Sequence, residues 1–253
     1  MISEFPLFLF TTLAGVAAGA YVVSVAFPVG KDAKKTWLFP LVCLVLLAVG
    51  LAGLPLHLGR PDRLFVALSQ PGAMIAQEAY WSIALGVILL IDLVISKTKG
   101  SSPRGLRIVG GIAALGLMLV MSNAYFVSIG VSAWASWQTF LLFILGNFAM
   151  GAALLALLES DLMKDGTYLT VSAVLSVLAA VGVVLETVHF ASVGASMVLL
   201  IIGAVVVAVA AVLQFMAKSG KMSTATAAKV AFACAFVGIA LARYGFYAAC
   251  ALY

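Results

Sequence analysis

Eight apolar runs, each about 20 residues or longer, constrain this chain more than any other feature of its sequence. A helix needs about 20 apolar residues to cross a bilayer. Only 9% of the residues are charged, against about a quarter in soluble domains. The sequence therefore predicts an all-α membrane protein with a single integral domain over 1–253. Its eight transmembrane helices are expected at about 5–29, 37–57, 74–96, 105–129, 137–158, 167–190, 195–217 and 224–250.

Positive charge alternates between successive loops, and this alternation predicts the orientation. The first, third, fifth and seventh loops hold ten Lys and Arg residues, whereas the second holds only Arg60 and Arg63. Because cytoplasmic loops are enriched in Lys and Arg, both termini are expected outside. The net charge of +5 comes from these loops and does not indicate nucleic-acid binding. The N-terminus lacks the basic start of a cleavable signal peptide, so the first run is expected to stay as a helix.

The cysteines and histidines give no pattern typical of a metal or haem site. Cys43, Cys234 and Cys250 are far apart and form no CxxC, so neither an iron–sulfur cluster nor a zinc site is expected. A two-haem cytochrome b would need four axial histidines, and this chain has two. His57 and His189 fall at membrane edges, which disfavours even one haem between them.

Ionisable side chains inside spans cost about 2.5–3.5 kcal/mol at a helix centre, so they tend to mark function. Asp92 falls near the inner end of the third span, where it is expected to extend to the interface beside Lys97. The others share one depth near the outer face in the predicted orientation. They are His57, Glu78, Glu186, His189 and Arg243.

Each of these residues also has a structural explanation. His57 would satisfy a backbone carbonyl at the interface. The positive end of a helix dipole favours an acid such as Glu78. Glu186 and His189, spaced i and i+3, would satisfy one another. Arg243 would pair with an acid and lock two helices together.

Aromatic residues near the outer ends of the spans have a similar double explanation. Tyr and Trp are enriched where a membrane meets water. Interface anchoring is therefore the default explanation for Trp134, Trp137 and Tyr247.

The clustered set suits a proton-coupled redox ligand such as a quinol. Quinol oxidation releases two protons and two electrons, and a histidine accepts protons near neutral pH. Glu78 would pass a proton to water, and Arg243 would hold an acid ionised or polarise a quinone oxygen. Apolar spans would admit the isoprenoid tail.

Four short motifs carry a resemblance to a known family. They are Leu56-His57-Leu58-Gly59-Arg60-Pro61, Ala76-Gln77-Glu78, Asn123-Ala124-Tyr125 and Arg243-Tyr244-Gly245-Phe246-Tyr247. Over its whole length the chain resembles the membrane anchor subunit of dimethyl sulfoxide reductase-type molybdoenzymes, within the polysulfide/nitrite reductase anchor superfamily.

The resemblance implies a subunit of a prokaryotic cytoplasmic membrane that acts in anaerobic respiration. It would oxidise menaquinol and pass electrons to an iron–sulfur subunit that feeds a molybdopterin catalytic subunit. His57 and Glu78 are the expected catalytic residues. The expected quinol-binding set adds Tyr125, Arg243 and Tyr247; Glu186 and His189 are expected to relay protons, and Arg60 and Arg63 to dock the partner. In this family an acid often lies one turn before the last-span arginine; here Ile239 stands there, and Glu186 is the expected substitute partner of Arg243.

Two functions of other classes fit the same composition. A proton-coupled transporter of a small solute would bind its substrate near the membrane midplane. A structural tether would only hold a soluble enzyme at the membrane. The charge-free midplanes of the predicted spans argue against transport.

Overall fold

The computed structural model describes residues 4–27, 29, 36–57 and 64–252, without the side chains of 55–57, 64 and 160. These residues form helices and no strand. The helices are α1 (Phe5–Ala26), α2 (Leu38–His57), α3 (Leu64–Leu68), α4 (Met74–Lys99), α5 (Arg104–Phe126), α6 (Gln138–Leu158), α7 (Gly166–Ser192), α8 (Val198–Lys218) and α9 (Thr224–Ala248). Short 3-10 helices at Ser160–Lys164 and Ala249–Leu252 follow α6 and α9.

Seven of these helices, α1 and α4 to α9, are long and apolar enough to cross a membrane. The remaining predicted span is α2, of which the stretch Leu38–Leu54 is apolar and has described side chains. The all-helical prediction is confirmed, whereas the count of eight spans and the outward termini stay predictions. The five-residue α3 was not expected, and Arg60 and Arg63 lie outside the described residues.

The packing has its apolar side chains outside and many of its polar ones inside. Val87, Val181 and Val205 are 50%, 48% and 60% exposed on α4, α7 and α8, whereas Ser82 and Gln214 are buried. Lipid tails solvate exposed valines without cost, but polar groups in hydrocarbon need partners. This distribution is the one expected of a multi-pass membrane protein.

Helix α1 lies at the centre and packs against α2, α5, α6 and α9. It is buried on nearly all sides, as a helix that is apolar all round should be. Gly19 of α1 meets the backbone of α6 at Asn147, and Gly151 of α6 meets the backbone of α1 at Ala20, so neither position has room for a Cβ. Small residues bring membrane helices this close when lipid supplies no hydrophobic force between them.

Asp92 of α4 is fully buried, so the prediction that it extends to the interface is wrong. Its Oδ2 accepts a hydrogen bond from the Tyr21 hydroxyl of α1 at 2.8 Å. Its Oδ1 accepts one from the Ser96 hydroxyl at 3.1 Å. The carboxylate thus ties α4 to the central helix, because polar donors inside the protein replace the water that it would have at the interface.

Candidate functional site

A cavity of about 380 Å³ lies where α1, α2, α4 and α5 come together near the loop that follows α5. We call it the Glu78 cavity. Its size falls within the range of small-ligand sites, which are mostly apolar with a few placed polar groups. It is lined by Glu4, Leu7, Leu54, Ile75, Glu78, Ala124, Tyr125, Ser128, Trp134 and Cys250.

Glu78 contributes the acidic group of the cavity that sequence reasoning selected. It lies in the second turn of α4 and is 5% exposed. Two hydrogen bonds hold the segment between α3 and α4 against α4. The Tyr80 hydroxyl donates to the Leu68 carbonyl, and Gln77 Nε2 donates to the Pro71 carbonyl at 3.3 Å. Oε1 of Glu78 has no hydrogen-bond partner among the described residues. Because a buried polar group without a partner is costly, this oxygen is open to a donor from outside the described residues.

Tyr125 forms an aromatic wall of the cavity together with Trp134. Its ring centroid lies 5.4 Å from that of Trp134, edge to face, and 5.2 Å from that of Phe143. Phe246 and Tyr247 pack behind at 5.6 and 5.3 Å. Such offset and edge-to-face pairs fix ring orientation, so the wall is rigid where a flat ligand ring would rest.

Trp134 is buried, so its explanation as an interface anchor is wrong. Its indole Nε1 donates to the Phe246 carbonyl at 2.8 Å, and the Thr139 hydroxyl donates to the Trp134 carbonyl at 2.7 Å. The loop between α5 and α6 is thereby drawn onto the end of α9. Trp137 is 57% exposed, and its interface position stays a prediction.

Tyr247 and Arg243 are fully buried behind the wall, outside the lining of the cavity, so the interface explanation for Tyr247 is wrong. The hydroxyls of Tyr247 and Thr11 are hydrogen-bonded at 2.9 Å. Arg243 is fully buried, and its guanidinium carbon lies 4.6 Å from the Phe143 ring centroid. Its Nη1 donates to the Thr11 carbonyl at 2.6 Å, and its Nη2 donates to the Phe143 carbonyl at 3.2 Å and to Asn147 Oδ1 at 2.7 Å.

The expected pairing of Arg243 with Glu186 is wrong. Arg243 takes its acceptors from α1 and α6, and the two side chains form no ion pair within the described part of the chain. Backbone carbonyls and an amide oxygen accept the hydrogen bonds of the guanidinium in place of a carboxylate. Ile239, one turn earlier, instead packs against Gly146.

Glu186 and His189 lie on α7 and contact the loop between α5 and α6 that carries Trp134. Glu186 is fully buried, and the Ser136 hydroxyl donates to its Oε2 at 3.5 Å. His189 is partly exposed, and its Nε2 donates to the Ser132 carbonyl at 3.0 Å. Both side chains therefore contact the loop that carries Trp134, which places them beside the Glu78 cavity and outside its lining.

His57 is the last residue of α2, one helical turn beyond Leu54, which lines the cavity. Its imidazole lies outside the described residues, so its role stays a prediction. Within the described residues there is no group of three or more His, Cys, Asp or Glu that could hold a metal ion.

Sequence reasoning did not select Trp134, Ser128 or Cys250 as cavity residues. Their spacing carries no sign of it, since they come from a loop, a helix end and the final 3-10 helix. One signal was present for Trp134. Small residues flank Trp134 in its loop, and they leave room for the indole to turn inward. The same pattern is also compatible with an interface position.

The fold and this cavity define the class: a multi-pass helical membrane protein with an acidic, aromatic-walled cavity near one end of its helices. Residues 1–251 match the model of the DMSO reductase anchor subunit (DmsC) family, and the protein belongs to this family. It is also similar to the C chain of the anaerobic dimethyl sulfoxide reductase of Haemophilus influenzae. The two are 30% identical over 165 residues, which cover 60% of this protein and 58% of that relative.

Proposed function

We propose that this protein is the membrane anchor of a molybdopterin oxidoreductase and oxidises menaquinol in a prokaryotic cytoplasmic membrane. The electrons would pass to an iron–sulfur subunit and then to a molybdopterin catalytic subunit during anaerobic respiration. Membership of the anchor family supports the anchoring role. The name of the Haemophilus influenzae relative supports an anaerobic reductase as the assembly.

The observation that carries the proposal is the unpartnered carboxylate oxygen of Glu78 in a cavity walled by Tyr125 and Trp134. A quinol head group has a flat ring and two hydroxyl donors. The ring fits against aromatic side chains, and one hydroxyl supplies the hydrogen bond that Glu78 lacks. A charged substrate would fit less well, because apolar residues form most of the remaining lining.

In the proposed reaction, the oxidation of one quinol to a quinone releases two protons and two electrons. His57 accepts one hydroxyl proton and Glu78 accepts the other, since a base must lie within hydrogen-bond reach of the proton that it removes. Both electrons leave for the iron–sulfur subunit, which would dock over Arg60 and Arg63. The protons then pass to water on the outer side, with Glu186 and His189 as a relay beside the Trp134 loop.

Tyr125 would contact the quinol ring directly, whereas Tyr247 and Arg243 would act on the site through it. Tyr247 packs on Tyr125, and Arg243 holds α9 against α1 and α6. Both are therefore proposed as positioning residues of the quinol site. Their effect would be on the shape of the wall and not on the proton that is transferred.

A cavity-filling substitution tests this function. In the purified complex with its partner subunits, Ala124→Trp would place an indole in the Glu78 cavity. Leu119→Trp is the matched control, because Leu119 lies on the same helix and is half exposed on the lipid side. Titration with a fluorescent quinol analogue should give wild-type affinity for Leu119→Trp and a loss of about tenfold or more for Ala124→Trp.

The outcomes separate the proposal from its alternatives. Unchanged analogue binding in Ala124→Trp would place the quinol elsewhere and overturn the site. If partner subunits co-purify with the wild-type protein but the complex does not bind the quinol analogue, the protein would be a structural tether. A protein that purifies alone and ignores the analogue would favour the proton-coupled transporter.

A further inference from the structure

A second cavity lies at the opposite end of α1, where the α4–α5 turn meets the start of α5. It has a volume of about 430 Å³, and we call it the Arg107 cavity. Ala26 ends α1 and is exposed at its rim. Polar side chains form much of its lining, namely Ser24, Ser101, Ser102, Arg104 and Arg107.

Arg107 is the buried cation of this cavity and is only 5% exposed. Its Nη2 makes a long hydrogen bond of 3.4 Å to the Val29 carbonyl. Its Nη1 has no hydrogen-bond partner among the described residues, and neither has the Ser102 hydroxyl. A guanidinium has five donors and buried donors are nearly always satisfied, so this end of Arg107 requires an acceptor.

The start of α5 adds a second attraction for an anion. Pro103 is the N-cap of α5 and provides no side-chain cap for the first amides of the helix. Free amides and the helix dipole favour negative charge at a helix start. In the part of the chain that the structure describes, no carboxylate lines the cavity. The buried acid of the neighbouring helix, Asp92, already accepts hydrogen bonds from Tyr21 and Ser96.

An apolar groove continues from the cavity along α1 and α5. The groove has a volume of about 470 Å³ and shares Val25, Ala26 and Arg104 with the cavity. We call it the α1–α5 groove. Its other lining residues are Val22, Ile108, Gly111, Ile112 and Leu115, of which Ile108 and Ile112 are 42% and 58% exposed.

We propose that the Arg107 cavity and the α1–α5 groove together bind one anionic phospholipid. The phosphate would accept hydrogen bonds from Arg107 and the first amides of α5, with Arg104 at the rim. An acyl chain would lie along the groove. A free anion would fill the cavity and leave the groove empty, whereas a phospholipid occupies both.

The charge of the surrounding loops agrees with this occupant. Lys97, Lys99 and Arg104 belong to the basic loops that predict the cytoplasmic side. Anionic lipids are enriched in the cytoplasmic leaflet and attract basic segments close to the membrane. The proposed lipid would therefore lie at the opposite end of the bundle from the Glu78 cavity and does not depend on quinol chemistry.

Native mass spectrometry of the purified complex with phosphatidylglycerol or phosphatidylcholine tests this site. Wild type should retain phosphatidylglycerol preferentially, and Arg107→Gln should reduce that retention by about tenfold, as expected for lost charge-assisted hydrogen bonds. Lys164→Gln is the control, because Lys164 is an exposed cation paired with Asp161 outside both features. It should retain phosphatidylglycerol as wild type does.

A second variant covers the case in which Arg107→Gln fails to assemble. Ala26→Trp keeps Arg107 and places an indole where cavity and groove join, so it should also reduce phosphatidylglycerol retention by about tenfold. Equal retention of the two lipids in wild type would overturn the proposal. The proposal would also be overturned if inorganic phosphate displaced all of the phosphatidylglycerol and Ala26→Trp retained phosphatidylglycerol as wild type does. Those two results together would indicate a site for free phosphate.

Discussion

Glu78 and Asp92 are both buried carboxylates of α4, about four helical turns apart, yet their surroundings differ completely. Asp92 accepts hydrogen bonds from Tyr21 and Ser96 and ties two helices together. Glu78 has an oxygen without a partner among the described residues and lines a cavity. Burial of an acid in a membrane helix therefore does not identify a reactive group. The presence or absence of protein donors around it separates a structural acid from a candidate site.

The two buried arginines also differ, although Nε of Arg243 lacks a hydrogen-bond partner among the described residues. Arg243 has acceptors for both terminal nitrogens on α1 and α6 and faces the Phe143 ring. Arg107 has one long bond and, within the described structure, an unpartnered Nη1 at the edge of a cavity. This difference supports a positioning role for Arg243 in helix packing and the proposed lipid contact for Arg107.

The largest expected effect is on Glu78. Glu78→Gln preserves size but removes the group that accepts a proton, so the quinol-dependent rate should fall about 100-fold or more. The rate is measured on the purified complex with quinol as donor. The same complex driven by an artificial dye that reduces the catalytic subunit directly is the control and should keep its rate.

A quinol-dependent rate within about twofold of wild type in Glu78→Gln would remove the proposed proton transfer. A loss of both the quinol-driven and the dye-driven rates would instead indicate a defect of assembly. If the quinol-dependent rate of Glu78→Gln were unchanged, the contrast between Glu78 and Asp92 would no longer hold, because both acids would be structural.

Asp92 should show the converse pattern, with an intermediate effect on stability. Asp92→Ala leaves the buried Tyr21 hydroxyl without its acceptor, which costs about 1–3 kcal/mol. Thermal unfolding of the detergent-solubilised protein should shift to lower temperature, and Asp92→Asn, which keeps an acceptor oxygen, should shift less. The quinol-dependent rate per intact complex should be unchanged. Loss of that rate at normal thermal stability would show that Asp92 takes part in the chemistry.

The smallest expected effect is at Tyr247, which connects the aromatic wall to α1. Tyr247→Phe removes the hydrogen bond to Thr11 and should cost about 0.5–1.5 kcal/mol of stability. The affinity of the complex for a quinol analogue should change by about threefold or less. Tyr244→Phe is the control, because the Tyr244 hydroxyl forms no hydrogen bond with a described residue and its ring packs 5.7 Å from Phe8. An affinity loss of about tenfold in Tyr247→Phe would mean direct contact with the ligand.

The sequence predicts the helical class and the positions of the long helices well, because runs of about 20 apolar residues leave few alternatives in a bilayer. It also selects Glu78 and Tyr125, which the structure places in one cavity. Glu78 is found from its depth and from motif resemblance, whereas Tyr125 is found from the resemblance alone. Neither signal specifies which neighbour each side chain touches.

The partners of polar side chains could not be predicted in the same way. Arg243 takes backbone carbonyls as acceptors, and a carbonyl is present at every residue whatever its side chain. Asp92 is satisfied by a tyrosine 71 positions away. Trp134 turns inward because the Phe246 carbonyl meets its indole. These contacts depend on helix packing, to which small residues such as Gly19 and Gly151 contribute.

The central place of α1 has a consequence for biosynthesis. This helix is translated well before its close backbone partner α6 and before the arginine that bonds Thr11. Until they arrive, the glycine-lined flank of α1 has only lipid beside it. The packing around α1 is therefore formed only after α9 has been inserted, so a polypeptide interrupted before α9 would hold α1 in the bilayer without its native partners.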